Sequence, residues 1–330
     1  MSATPGAASL LAPRILIPFL AVALIWGSTW LVIKDQVSEV PPSWTVTWRF
    51  LLASVGMVAL ALVRGESLRL SRRAMGFAVM IGLAQFCANF QLVYRAELSL
   101  TSGLVAVVFA LLVVPNALGS WLFLGQRVSA RFVAGSAVAF AGIALLMLHE
   151  YRLGLAVGEI GAYESGVGGV GAGFVFTALA ILSASTANIL QAAPTARAQP
   201  IVPLIAWAMI WGTLADVALA LAIDGAPRFD PSPRYVGGIV YLALIGSVVT
   251  FPLYFQLIRD LGPGRAAYNG VIVPVIAMAL STLFEGYRWS LLAGAGAGLA
   301  LVGLVLALSS RNAGATNAQT SARSPSTKVG

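Results

Sequence analysis

Ten apolar runs, each long enough to cross a bilayer, make up most of this chain and leave few folds open to it. They cover residues 15–33, 44–63, 75–94, 102–123, 132–148, 171–192, 201–223, 236–258, 267–284 and 290–309. About 20 predominantly apolar residues in a helix span the ~30 Å hydrocarbon core. Within all ten runs stand two charged side chains, Arg49 and Asp216. A helix lying on a soluble core would carry charge along its outer face. Strands of a membrane barrel would alternate in segments of about ten residues. The runs do neither, so the chain reads as all-α, a polytopic membrane protein of ten transmembrane helices. Composition agrees: 10% of the 330 residues are charged and mean hydropathy is +0.89, where soluble domains carry about 25% charge. With one cysteine, Cys87, a disulfide scaffold is excluded as well.

The ends of the runs carry matching punctuation. Pro41-Pro42 stands before the second run, Arg64-Gly65-Glu66 after it, and Pro200 opens the seventh. Trp44, Trp48 and Trp289 lie near run ends, where an amphipathic indole suits the headgroup region. The first run ends in bulky residues without a small-x-small cleavage site, so it reads as an uncleaved helix rather than a signal peptide. Residues 160–173 are glycine-rich but lack a Lys-Ser/Thr after the glycines, which argues for a flexible connector over a phosphate loop. After Ser310 the chain turns Ala/Ser/Thr/Asn-rich, the composition of a disordered tail.

With ten helices both termini share a side. If that side is the cytoplasm, it holds 13 Lys/Arg against 6 on the other, the bias expected of cytoplasmic loops. The net charge of +8 and pI near 10.1 then mark topology, and no nucleic-acid partner is needed to explain them. The lipid bilayer is the partner the composition demands. Nothing in the sequence calls for more than a monomer.

A duplication runs through the chain. Val114-Pro115 is followed by Leu124, Gln126 and Gly135, and Val273-Pro274 by Leu283, Glu285 and Gly294 at the same offsets. Gly103 and Gly262 precede the prolines equally, and every pair is 159 residues apart. A shift of five helices reverses orientation, giving an inverted 5+5 repeat. That plan is common in secondary transporters, with the substrate site near the midplane between the halves. The expected units are a cytoplasmic N-terminus (1–14), a first repeat (15–148), an outer connector (149–170), a second repeat (171–309) and the cytoplasmic tail (310–330).

Several motifs resemble those of one family. Trp26-Gly27-Ser28-Thr29-Trp30 with Lys34 after it, and Arg49-Phe50 in the second run, are similar to the opening motifs of the EamA-like exporters of the drug/metabolite transporter superfamily. Pro115…Leu124-Gly125-Gln126-Arg127 and Pro274…Leu283-Phe284-Glu285 resemble that family's paired Pro…Leu-Gly-Glu signatures. Gln126 stands where the first signature carries Glu, and Phe284-Glu285-Gly286 replaces Leu-Gly-Glu in the second. The resemblance spans residues 15–309. It implies a multi-pass transporter of the bacterial inner membrane, similar to amino-acid exporters, with helices 1, 3, 4, 6, 8 and 9 around the substrate.

Candidate functional residues follow from polarity inside the runs. Arg49 and Asp216 stand out, because an intramembrane charge costs at least about 2.5–3.5 kcal/mol on insertion scales. Each reads either as a substrate- or proton-linked group or as a structural one that caps carbonyls or snorkels. Helices 2 and 7 are repeat-equivalent, so an Arg49–Asp216 pair is a further reading. Trp26 and Trp30, Gln85 and Asn89, and Ser185 and Asn188 sit three or four apart, each pair on one helix face. With Tyr241, Tyr268 and Asn269 they are the candidate substrate-binding set, the alternative being interhelical glue worth about 0.6 kcal/mol. Pro115 and Pro274 free carbonyls mid-helix and mark bending or gating positions. Gly294, Gly296 and Gly298 suit close helix packing.

Enzymatic chemistry is thin. His149 is the only histidine and is expected in an outer loop, Cys87 reads as a small buried residue, and no metal or cofactor motif is present. The reading that follows is an exporter of small polar metabolites, amino acids first, working by alternating access. Alternatives are a multidrug or nucleotide-sugar transporter of the same fold, or a membrane enzyme acting on lipid-linked substrates. Energy coupling is open between facilitated diffusion and a proton step at Asp216.

Overall fold

The structure, a computed structural model, describes residues 13–37, 40–125, 128–157, 169–261 and 269–321, and the regular elements among them are helical. Helix α1 is Pro13–Gln36 and α2 is Pro42–Val63. Helix α3 consists of Arg72–Ile81, a π-helical stretch Gly82–Asn89 and Phe90–Ala96. Helix α4 joins Ser102–Phe109, a 3-10 turn Ala110–Leu112 and Val113–Leu124. Helices α5 (Ala130–Val157) and α6 (Val170–Ala192) follow. A short helix Pro194–Arg197 leads into α7, Ile201–Ile223. Helix α8 comprises Pro233–Val240, a second π stretch Tyr241–Val249 and Thr250–Leu261. Helices α9 (Asn269–Phe284) and α10 (Leu291–Ser321) close the chain. Eight of these are long and apolar enough to cross a membrane, and the shorter apolar segments Asn269–Phe284 and Leu291–Ala307 complete the ten expected.

Boundary chemistry repeats between the halves. Pro41 and Pro200 precede α2 and α7, where a helix has no use for the N–H that proline lacks. After α2, Gly65 takes φ 65°, and its N–H and that of Glu66 close back on the Leu62 and Ala61 carbonyls at 3.0 and 2.9 Å. That left-handed turn favours glycine. Gly225 after α7 matches it, and Gly125 and Gly286 form a second pair after α4 and α9. Ser71 and Ser232 cap α3 and α8, accepting from the Ala74 and Tyr235 N–H groups at 3.2 and 3.3 Å. The two π stretches begin 159 residues apart, the offset of Pro115 and Pro274. The duplication is therefore written in the backbone as well as in the sequence.

A π turn misaligns the helical ladder, and polar side chains meet the carbonyls it leaves. The hydroxyls of Ser247 and Thr250 donate to the carbonyls of Leu242 and Ile245, each five residues earlier. The Trp26 indole N–H reaches the Gly246 carbonyl at 3.4 Å, and in the other half the Ser183 hydroxyl reaches that of Ala84 at 2.9 Å. Each π stretch is thus bonded by the first helix of the opposite repeat. The prolines behave differently from each other. Pro115 follows the 3-10 turn of α4, whose Leu111 carbonyl lies where the ring would clash, whereas Pro274 is held inside a continuous α9.

Repeat-related helices pair across the molecule, α2 with α7 and α5 with α10. The α5–α10 contact is backbone to backbone. A Cβ on Gly142 would meet the Ala300 nitrogen at 2.3 Å and the Gly296 carbonyl at 2.5 Å; one on Gly303 would meet the Ala139 nitrogen at 2.3 Å. Gly135 and Gly296 complete the crossing. Of the three helix-10 glycines expected to permit close packing, only Gly296 does so, since Gly294 and Gly298 have open space. Gly142→Leu should therefore lower stability by about 1–3 kcal/mol or more through overpacking. Gly298→Leu should leave the melting temperature unchanged, as size-exclusion thermal melts of the two variants can show.

Two helices outrun their expected bounds: α5 continues to Val157 and α10 to Ser321. His149 is consequently helical and buried, not in a loop. Its Nδ1 lies 3.0 Å from the Ser290 hydroxyl and its ring edges toward Tyr287. Gln126, Tyr268 and most of the glycine-rich connector lie outside the described residues.

Candidate functional site

The Trp26–Trp30 segment of α1 is a junction in which successive side chains touch different helices. Trp26 bonds the π stretch of α8 and packs on Phe251 and Tyr254 at ring distances of 5.6 and 4.9 Å. Gly27 faces α9, where a Cβ would meet Ile276 at 2.6 Å. The Ser28 hydroxyl shares a 2.7 Å hydrogen bond with the Tyr241 phenol. Trp30 leans on Phe109 of α4 at 5.4 Å. A small residue between two indoles is what lets α1 approach α8 and α9 together.

Above this junction α1, α8 and α9 part, leaving a cavity of about 640 Å³ whose walls include Lys34, Asp35, Arg234, Tyr241, Phe284 and Glu285. The charge-derived orientation puts it on the outer side. Its mouth is crossed by the Asp35–Arg234 ion pair, with Arg234 Nε donating at 2.9 Å and Nη2 making a second contact. Beside the pair, the Ser232 hydroxyl and N–H hold the Asp230 carboxyl below its ordinary range. On the inner side the same helices close. Ile15, Phe19, Val22 and Leu257 form a buried apolar plug beneath Trp26 and Tyr254, and the Asn269 amide donates to the Phe19 carbonyl at 3.0 Å. Among the described residues, then, these helices leave a charged cavity at one end and pack an apolar cluster at the other.

Glu285 and Lys34 do more than line the wall. The Glu285 carboxylate accepts from the Ser102 N–H and hydroxyl at 3.2 and 2.8 Å, capping α4 from another helix. Lys34 donates to the Glu97 carbonyl and, at 3.0 Å, to that of Leu100.

The residues expected to bind substrate do not form one cluster. Tyr241 lines the cavity, whereas Trp26 packs against the Ile15, Phe19, Val22 and Leu257 cluster. Gln85 and Asn89 are buried in the π stretch of α3, and the Asn89 and Ser185 oxygens have no hydrogen-bond partner. Asn188 donates to Asn116 at 3.4 Å between α6 and α4. Asn269 belongs to the inner seal. Lys34, Asp35 and Arg234 were not among the candidates, though a charge immediately beyond a span end is a readable sign of a vestibule wall.

Arg49 and Asp216 do not pair. The ion pairs among the described residues are Arg64–Glu66 and Asp35–Arg234. Arg49 is 2% exposed and donates to the Tyr94 phenol at 3.2 Å and to Ser247 at 3.3 Å. Its guanidinium sits 4.4 Å from the Phe90 ring centre and 5.1 Å from that of Phe50. Asp216 faces α3 instead, accepting from the Gln91 amide at 2.8 Å beside Cys87. Arg95 in turn donates to the Gln91 oxygen at 2.6 Å and to Ser43 at 2.9 Å. Packing α2 between α3 and α8 separates the two charges onto different neighbours. Neither is on the cavity wall.

Comparison with known proteins places the chain. It is 29% identical over 269 residues to the uncharacterized inner membrane transporter YedA of Escherichia coli K12, covering 81% of each protein. It is 26% identical over 275 residues to protein PagO of Salmonella typhimurium, covering 82% of this chain and 85% of that one. A probable amino-acid metabolite efflux pump of Escherichia coli K12 is 24% identical over 295 residues, 87% of this chain and 92% of the pump. A solved crystal structure shares the fold at a TM-score of 0.62 and 17% identity, over 90% of this chain and 97% of its own. This is a multi-pass inner-membrane transporter, and the match of the EamA-like transporter family to residues 14–148 and again to 170–309 shows that the chain belongs to that family.

Proposed function

We propose that this transporter exports small zwitterionic metabolites, amino acids foremost, by alternating access. The observation that carries the reading is the wall of the outer cavity. It carries two cations, Lys34 and Arg234, two anions, Asp35 and Glu285, and Tyr241. A balanced wall suits a cargo with both an ammonium and a carboxylate. A lipophilic cation would instead gain from aromatic walls and excess negative charge. A probable amino-acid metabolite efflux pump is also among the relatives.

Alternating access needs the inner plug of Ile15, Phe19, Val22 and Leu257 to open as the outer cavity closes. The paired π stretches of α3 and α8 and the prolines of α4 and α9 are the places where those helices can bend. Trp26, Trp30, Gln85, Asn89, Ser185, Asn188 and Tyr241 are then the side chains a cargo meets on its way through.

The test is purified protein in liposomes with a panel of labelled amino acids. Saturable uptake over protein-free vesicles is expected for a subset, with weak competition by a lipophilic cation such as tetraphenylphosphonium. Strong competition by that cation favours the multidrug alternative. A well-folded protein that moves no amino acid in the panel overturns the proposal.

A further inference from the structure

The corner between α3 and α4 holds a buried carboxyl that no described side chain serves. Glu97 is 0% exposed, and neither of its carboxyl oxygens has a hydrogen-bond partner. A carboxyl in such a place is stable with its proton on, or with a cation brought to it. Two charged groups from the cavity wall grip this corner without bonding the Glu97 carboxyl oxygens. Lys34 of α1 donates to the Glu97 and Leu100 carbonyls, and Glu285, just beyond α9, caps Ser102. Arg49 of α2 acts on Glu97 from farther off, Tyr94 and Arg95 flank it on its own helix, and the described part of α6 packs against this corner with Gly173 and the apolar Phe174. Burial holds the Glu97 carboxyl well above the ordinary range. Lys34 pulls it down, and Glu285 pushes it up again.

We propose that Glu97 is a proton-binding switch of the outward-facing state. With the proton on Glu97, the Lys34 ammonium is free to cap the corner carbonyls, and α1 is tied to the α3–α4 corner as seen. When the O–H bond breaks and the proton passes to cavity water, the carboxylate becomes the better partner for the same ammonium. Lys34 turns to it, the Glu97 and Leu100 carbonyls lose their donor, and the corner is released from α1 at the cavity wall. Lys34 is the exchangeable group, and it lies on the wall itself. The inference rests on the chain being a carrier but not on which cargo it carries.

Two measurements on the full-length protein in liposomes test it without any cargo, so a failed amino-acid panel leaves them intact. Infrared difference spectra between acid and alkaline pH should show the carbonyl band of a buried protonated carboxyl. Glu97→Gln should remove that band, and Asp216→Asn and Glu285→Gln should keep it. Second, a cysteine at the cavity residue Leu31, in a Cys87→Ser background, is labelled from outside with a membrane-impermeant maleimide. Rates are normalised at each pH to the same protein unfolded. Labelling should slow several-fold at alkaline pH with Glu97 present and lose that dependence in Glu97→Gln. Lys34→Met, which has no ammonium to exchange, should lose the labelling response while retaining the infrared band. A band that survives Glu97→Gln, or an unchanged pH response of labelling in either variant, overturns the proposal.

Discussion

Arg49→Ala should cost the protein on the order of 3 kcal/mol and most of its yield from the membrane. The guanidinium joins three helices: it belongs to α2, bonds Tyr94 of α3 and Ser247 of α8, and lies against the Phe90 and Phe50 rings. Each hydrogen bond from a charged donor contributes about 1.5–3 kcal/mol, and a desolvated cation–π contact about 2. Against this stands the relief of removing a buried charge that has no carboxylate within 4 Å among the described residues. Truncation also leaves a cavity and two hydroxyls short of a donor, so the losses win. Because the balance includes that relief, Arg49→Met should recover part of the stability by filling the space without charge. Arg49→Lys should recover less, since one ammonium on a flexible stem cannot reproduce a planar fork stacked on Phe90. Thermal melts of the three variants check the order. An Arg49→Ala protein that melts with the wild type yet moves no cargo would reassign Arg49 from scaffold to substrate site.

How much of this was legible in the sequence follows from which signals are local. The ten spans were, because insertion depends on apolar length alone. The duplication was, because Pro115 and Pro274 keep their offset through every intervening loop. The π stretches were not. Gly82–Asn89 and Tyr241–Val249 read as ordinary apolar helix, and the hydroxyls of Ser247 and Thr250 gain meaning only once their i−5 partners are known. The glycine crossing was half legible: Gly135 and Gly142 on α5, like Gly296 and Gly303 on α10, lie seven apart, two helical turns on one face. Counting glycines without that spacing picked out Gly294 and Gly298, which face away. Partner choice was the least legible. Arg49 and Asp216 sit at repeat-equivalent helices and similar depth, yet each is turned to a different neighbour. Glu97 was hidden by its position, since one residue beyond a helix end looks like solvent until Lys34 and Glu285 are seen to close over it.

Asp216 gives the second large effect, and the choice of substitution decides what is learned. The carboxylate accepts from Gln91, Gln91 accepts from Arg95, and Arg95 also reaches Ser43, so four groups on α2, α3 and α7 form one chain. Asp216→Ala removes its end. The Gln91 amide is left with only a 3.5 Å contact to the Ser43 carbonyl, and both Gln91 and position 216 are buried. Breaking a buried charged network by one member costs about 3–5 kcal/mol, so Asp216→Ala should melt far below the wild type. Asp216→Asn keeps a carbonyl oxygen toward Gln91 and fits the same space, so it should fold and melt within about 1 kcal/mol of the parent. The two variants separate scaffold from proton chemistry, because only the asparagine tests titration without collapse. If the coupling proton travels at Asp216, transport by folded Asp216→Asn should cease to respond to an imposed pH gradient. With the residue off the cavity wall and its carboxylate committed to Gln91, the expected result is an unaltered response in Asp216→Asn, with the response lost in Glu97→Gln instead. A folded Asp216→Asn that loses the response would return the coupling site to helix α7.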